Sequence, residues 1–193
     1  MYEIRLHGLG GEGVVLASEL LGKTAMKQGM FSHSFPFFGT DIRGGVVKAF
    51  TRINDKKISI KSYIYRPDII LLFNDILLND PDVTLGVSSS TLMIVNTRAS
   101  IDSLRQCTAA KQGAKVLPID ATELGYKIFQ RPIFNVILLG ALLRIREVVA
   151  KDVLVKVISE ELPERVVQGN LTALEEGYCS MEGVLKDEAS VVS

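Results

Sequence analysis

An α/β domain with three layers and a mixed, mostly parallel sheet is the fold this sequence predicts, on three observations. Residues 2–7 alternate polar and apolar and pass through glycines into a helix-like run over residues 14–27. Residues 69–73 and 92–95 are unbroken apolar runs, the pattern of strands covered on both faces. Residues 46–53 and 58–60 flank Asn54-Asp55-Lys56-Lys57, a signal for an antiparallel hairpin.

The junction after the first strand reads Gly8-Leu9-Gly10-Gly11-Glu12-Gly13. A strand that turns through glycines into a helix start gathers free N–H groups and the positive end of the helix dipole at one point. Such a point holds an anion, usually phosphate. Gly8, Gly10 and Gly13 fit G-x-G-x-x-G between first strand and first helix, so the domain is expected to be Rossmann-like. The acid that a dinucleotide site places about 20 residues further on is missing, because nothing between Glu19 and Asp41 is acidic. An ordinary NAD or FAD site is therefore disfavoured. An anion or backbone-contact role remains, as does a structural turn with no ligand.

Gln28-Gly29 closes the first helix, and residues 30–38 follow as a strand or extended segment rich in aromatics. Residues 39–45 read as an irregular loop. Asn74-Asp75 starts a short helix after the first apolar run, and Ser100 or Asp102 caps a helix to Gln112, stopped by Gly113. Residues 116–119 form the last strand, residues 122–129 the helix after it, and Pro132 a break. Residues 135–149 are apolar on most faces, which suits a core helix or one covered by another chain. Residues 151–160 and 164–181 are amphipathic helices parted by Leu162-Pro163. One domain over residues 1–181 with C-terminal helices is expected, then a flexible tail over residues 182–193.

Hydrophobic residues make up 47% and aromatic ones 7%, with no Trp, so the core is aliphatic and some of the surplus is available to a partner. Lys+Arg and Asp+Glu both number 22, which gives no net field toward nucleic acid or an anionic membrane. Cys107 and Cys179 are isolated, too few for a cluster or a structural zinc. Spare thiols and the lack of a signal peptide or membrane span lead to the expectation of a cytoplasmic protein.

Covalent catalysis needs a nucleophile beside a base. His7 and His33 are the two imidazoles, and both are better read as packing residues. The sequence holds no H-E-x-x-H, G-x-S-x-G or P-loop, which argues against a self-contained hydrolase or kinase. Arg43, beside Gly44-Gly45, is a candidate anion ligand, since glycines admit close approach and a guanidinium holds phosphate or carboxylate with two hydrogen bonds; a surface pairing with Asp41 is the alternative. Phe35, Phe37 and Phe38 around Pro36 read as core or interface anchors.

The order G-L-G-G-E-G, F-P-F-F-G-T-D-I-R-G-G and V-V-K-A-F-T-R-I resembles the gamma subunit of 2-oxoacid:ferredoxin oxidoreductases of the pyruvate synthase type. The likeness continues through Tyr65-Arg66-Pro67-Asp68, Asn135, Leu139-Gly140-Ala141, Gly169-Asn170, Ala173 and Gly177-Tyr178. Two positions depart from it: Glu12 stands where Gln is usual, and residues 41–46 replace Glu-Arg-Arg-Gly-Ala-Pro. The resemblance implies CoA-dependent oxidative decarboxylation of a 2-oxoacid to an acyl-CoA and CO2, with electrons passing to ferredoxin. Pyruvate leads, and 2-oxoglutarate, branched-chain, aryl-glyoxylate and oxalate versions stay open. Thiamine diphosphate and iron–sulfur clusters are implied in sister subunits, none of them held by this chain alone. Gly10, Gly11, Glu12 and Gly13, with Arg43 and Gly44, are then expected to line the coenzyme A approach or touch a neighbouring subunit. A purely structural adaptor and a free-standing nucleotide-binding reductase are the other readings.

Overall fold

Along the chain the computed structural model gives β1 (Tyr2–Leu9), α1 (Val14–Lys27), β2 (Phe31–Phe38), β3 (Val46–Asn54), β4 (Ile69–Leu72), a 3-10 turn (Asp75–Leu77), α2 (Pro81–Thr84) and β5 (Leu92–Asn96). It continues with α3 (Ile101–Leu104), α4 (Thr108–Lys111), β6 (Lys115–Ile119), α5 (Ala121–Phe129), α6 (Asn135–Ile145), α7 (Lys151–Glu161) and α8 (Glu164–Val191). The structure describes residues 1–38 and 45–191, with side chains through residue 185.

The strands form one sheet in the order β2-β3-β1-β4-β5-β6. β1, β4, β5 and β6 pair in parallel, whereas β3 runs antiparallel to both β1 and β2. All residues of β4 and β5 are buried, as unbroken apolar runs require. In β1 the alternation sends Ile4 and Leu6 into the core beneath α1, α6, α7 and α8, while Arg5 and His7 face the opposite side. A second core of Ile70, Leu72, Met93 and Val95 packs under Leu77, Val83, Leu104 and Ala109, which completes the third layer.

The antiparallel hairpin lies elsewhere than residues 46–60. β3 pairs with β2 through Phe31↔Asn54 to Phe38↔Val47 and with β1 through Tyr2↔Ile53 to Leu9↔Val46. Both edges of β3 are thereby occupied, so residues 58–60 find no strand to join; Ile60 is 50% exposed. Asn54 still ends β3, its amide donating to Lys56 O at 3.1 Å. β2 lies at an edge, where Pro36 is tolerated without a ladder N–H to give.

The helix expected to Gln112 is broken in two. Ser100 caps α3, and the Cys107 Sγ accepts the Ala110 N–H at 3.5 Å to start α4, a role that cysteine rarely signals. α8 stays helical to Val191, past the point where a loose tail is expected.

Every residue of α6 from Asn135 to Leu143 is buried, because α6 lies between sheet and α8 and has no solvent face. The two helices approach at glycines. A Cβ on Gly140 would stand 2.1 Å from Leu174 O, and one on Gly177 2.0 Å from Ile137 O. No helix among the described residues is long and apolar enough to cross a membrane.

Candidate functional site

The carboxyl ends of β1, β4, β5 and β6 point to one rim of the sheet, and the order reverses at β1, flanked by β3 on one side and β4 on the other. In open α/β sheets, ligands bind at such a switch point. The glycine turn joins β1 to α1 there. β2 is separated from β1 by β3, so the parallel neighbour whose end would carry a ribose-binding acid is absent from that position. The missing acid and the topology agree.

Within the turn, Gly10 N–H donates to Gly45 O at 3.0 Å and Glu12 N–H to Leu9 O at 3.2 Å. These two amides are engaged inside the chain, whereas those of Gly11 and Gly13 have no acceptor among the described residues. Glu12 closes the turn rather than pointing outward: its carboxylate accepts the Leu9 N–H at 2.7 Å and the Asn74 side-chain N–H at 2.8 Å. The glycines serve different ends. A Cβ on Gly8 would meet Glu12, Phe73 and Val14 at 2.7 Å, and one on Gly13 would meet Asn135 Nδ2 at 2.8 Å. Gly11, at φ +94°, faces open space with nothing within 4 Å. Its conformation suits glycine, and its surroundings leave the backbone approachable.

Two cavities flank the turn. One, of about 320 Å³, is lined by Glu12, Asn74, Asn96, Thr97, Arg98 and Asp120 at the strand ends. The other, of about 360 Å³, is more apolar and lies between Gly11–Gly13, Ile133, Leu162 and Asn170. Asn96 donates to Phe73 O at 3.0 Å and to Thr122 Oγ1 at 2.9 Å, which ties β5 to the start of α5. Arg98 pairs with Asp120 at 2.9 Å and with Glu123 at 3.2 Å and is largely exposed. Asn74, Asn96, Arg98 and Asp120 were not legible as site residues from spacing alone. The signal that finds them is a polar residue at or just past the ends of β4, β5 and β6. Arg43 and Gly44, with Asp41, lie outside the described residues.

Neither imidazole is placed as a base. His33 lies on β2 with its ring edge-on to Phe35 at 5.3 Å. His7 is 1% exposed, both ring nitrogens lack a partner among the described residues, and burial with Arg5 and Lys48 nearby lowers its pKa to about 3. Since an unfolded histidine titrates near 6.5, the unfolded chain takes up the proton first and the fold loses stability as pH falls from there toward 3. His7→Leu is expected to reduce the slope in that window by up to about 1.4 kcal/mol per pH unit, measured by denaturant unfolding across pH. An unchanged slope would show that His7 is protonated or hydrated in the fold.

Among the described residues no group of three or more His, Cys, Asp or Glu could hold a metal ion. Cys107 is buried as a helix cap and Cys179 is exposed on α8.

A family model described as pyruvate ferredoxin/flavodoxin oxidoreductase matches residues 3–180. The pyruvate synthase subunit PorC of Methanothermobacter marburgensis is 37% identical over 182 residues, 94% of this chain and 98% of its own. The pyruvate/ketoisovalerate oxidoreductases common subunit gamma of Thermococcus kodakarensis is 38% identical over 178 residues, 92% of this chain and 96% of its own. The crystal structure of pyruvate oxidoreductase subunit PORC from Thermotoga maritima matches with TM-score 0.81 at 30% identity, over 93% of this chain and 96% of that one. The 2-oxoglutarate:ferredoxin oxidoreductase of Magnetococcus marinus, at TM-score 0.78 and 20% identity, covers 94% of this chain with 31% of its own and shares the fold. With the glycine turn at the switch point and the α6–α8 glycine crossing both in place, the chain belongs to the pyruvate ferredoxin/flavodoxin oxidoreductase family, as one of its gamma-type subunits.

Proposed function

We propose that this chain forms one wall of the coenzyme A and 2-oxoacid approach in a multisubunit 2-oxoacid:ferredoxin oxidoreductase, with pyruvate the favoured substrate. In that reaction the bond between carboxylate and carbonyl carbon breaks to release CO2. The acyl carbon passes to the thiol of coenzyme A with loss of its proton, and the electron pair goes to an iron–sulfur acceptor. Thiamine diphosphate, when bound in a sister subunit, supplies the electron sink that makes the decarboxylation possible. Two isolated cysteines and the absence of a metal-binding group among the described residues support placing the iron–sulfur clusters in other chains as well.

The observation that carries the proposal is Gly11, an approachable glycine with φ +94° at the switch point, which lines the more apolar cavity while its neighbour Glu12 lines both. Its amide and that of Gly13 are suited to the oxygens of a diphosphate, and Glu12 holds them in place through Leu9 and Asn74. Arg43 and Gly44 are proposed to line the same approach. The Magnetococcus marinus enzyme, of the same fold, is described with 2-oxoglutarate, coenzyme A and succinyl-CoA bound. The use of Gly8 and Gly13 for internal packing favours the second reading, a structural adaptor.

Arg43→Ala in the assembled complex separates the two. Loss of a charge-assisted hydrogen bond to phosphate is expected to raise KM for coenzyme A about tenfold, roughly 1.4 kcal/mol. Normal assembly with unchanged apparent affinity for both coenzyme A and 2-oxoacid leaves the adaptor.

A further inference from the structure

On the sheet face turned away from α1, the alternation of three paired strands brings Arg5 and His7 of β1, Lys48 and Phe50 of β3, and Phe37 of β2 into one patch. α2 borders it through Asp82 and the Val83 carbonyl. The segment between β3 and β4 crosses the rest, held by Arg52, which donates to Ser62 O at 2.6 Å and Tyr63 O at 3.2 Å. Between sheet and segment lies a cavity of about 180 Å³.

Its floor and its rim differ in character. Arg5 is 3% exposed, donates one Nη2 bond to Val83 O at 2.7 Å and leaves Nε without a partner among the described residues. Beside it both ring nitrogens of His7 likewise find no partner among the described residues. Buried donors without acceptors are costly, and they persist where something outside the chain completes them. The rim is apolar and open: Phe37, Tyr63, Tyr65 and Leu85 are 39%, 43%, 59% and 55% exposed. Phe37 and Phe50 hold Tyr63 in place, with ring centroids 5.5 and 5.1 Å away. Lys48 reaches over the Phe37 ring at 5.7 Å and pairs with Asp82 at the mouth. With Arg5 and Lys48 cationic, His7 neutral and Asp82 anionic, the described residues of the socket carry one unbalanced positive charge.

We infer that this socket receives an acidic side chain, carried among apolar residues, from a sister subunit of the complex. The carboxylate supplies the acceptor that Arg5 and His7 lack, and its apolar neighbours cover the aromatic rim. A rim of large apolar residues around a charged, desolvated centre is the anatomy of an interface hot spot. The inference rests on the gamma-subunit reading, which supplies the partner.

The test uses the full-length chain and its purified sister subunits, with affinity read by biolayer interferometry. Phe37→Ala and Tyr63→Ala alter exposed rings, so circular dichroism should match the wild type while association weakens about tenfold for each. Met26→Ala, more exposed than either ring but on α1, is the control and should bind as the wild type does. The sign of the occupant is read from the ion pair at the mouth. Lys48→Met should weaken association, and Asp82→Asn should leave it unchanged or tighten it. Rim variants that bind like the wild type overturn the inference, and so does weakening by Asp82→Asn with none by Lys48→Met. Benzoate that occupies the cavity of the free chain without affecting association would assign the socket to a small carboxylate and also overturn it. A wild-type chain that binds no sister subunit would instead bring down the gamma-subunit reading itself.

Discussion

Arg52→Ala is expected to cost the fold about 3 kcal/mol and to loosen the segment between β3 and β4 before anything else moves. Arg52 is 2% exposed, and its guanidinium pairs with Glu3 at 2.7 Å on the neighbouring strand while donating to two carbonyls of that segment. The pair costs desolvation when it forms, so its intact worth is modest; removing one partner alone is what hurts. Truncation leaves Glu3 without its cation and the carbonyls of Ser62 and Tyr63 without donors. Glu3 keeps some access to water, which holds the expected cost to the lower end of the range for buried pairs. Ile64, 1% exposed, and the Tyr63 ring against Phe37 and Phe50 still anchor the segment. Hydrogen exchange over residues 61–65 should accelerate more than elsewhere, and Arg52→Lys should recover part of the loss through the Glu3 contact alone. A thermal midpoint within about 2 °C of the wild type would show that water replaces the guanidinium without penalty.

Gly140→Ala and Gly177→Ala are expected to be comparably severe. Alanine in a helix interior ordinarily gains about 1 kcal/mol over glycine. Here the new methyl would stand about 2 Å from a carbonyl oxygen of the facing helix, closer than any real contact, and a backbone atom cannot rotate aside. α6 and α8 must separate, and both are packed into the main core through Ile137, Leu138, Ala173 and Leu174. The net loss expected for either change is about 3 kcal/mol, which for a chain of this size lowers the melting midpoint by roughly 6–12 °C. Gly183→Ala on the same helix is the comparison, since a Cβ there meets nothing within 4 Å. Equal behaviour of Gly177→Ala and Gly183→Ala would remove the close crossing as a determinant of stability.

What could be read in the chain follows the range over which each signal acts. β4, β5 and α1 were legible because burial and periodicity are written in consecutive residues, and α1 ends at Lys27 before Gly29, as its glycine stop implies. The hairpin went to the wrong segment because a turn signal says that a strand ends at Asn54 and nothing about which edges of that strand remain free. That is settled by residues 31–38 of the aromatic segment, about 16 to 23 positions before Asn54, and by residues 2–9, more than 40 positions before it. The break between α3 and α4 went unseen because the second cap is a thiol. At the candidate site, the glycine turn was visible as a motif, whereas Asn74 reaching back to Glu12 was not, since the two are 62 residues apart. Glu12, a candidate site residue by the motif, also braces the turn through Leu9 and Asn74, a support that local pattern does not reveal.

The interposition of β3 between β1 and β2 also governs the order in which this protein can be made. A ribosome releases residues 2–38 first, yet the two strands in that stretch share no edge. β1 obtains its antiparallel neighbour only with residues 46–54 and its parallel one only with residues 69–72. Until then Ile4, Leu6 and the apolar stripe of α1 have no sheet to close against, and a nascent chain halted near residue 45 is expected to remain unfolded with that apolar surface bare.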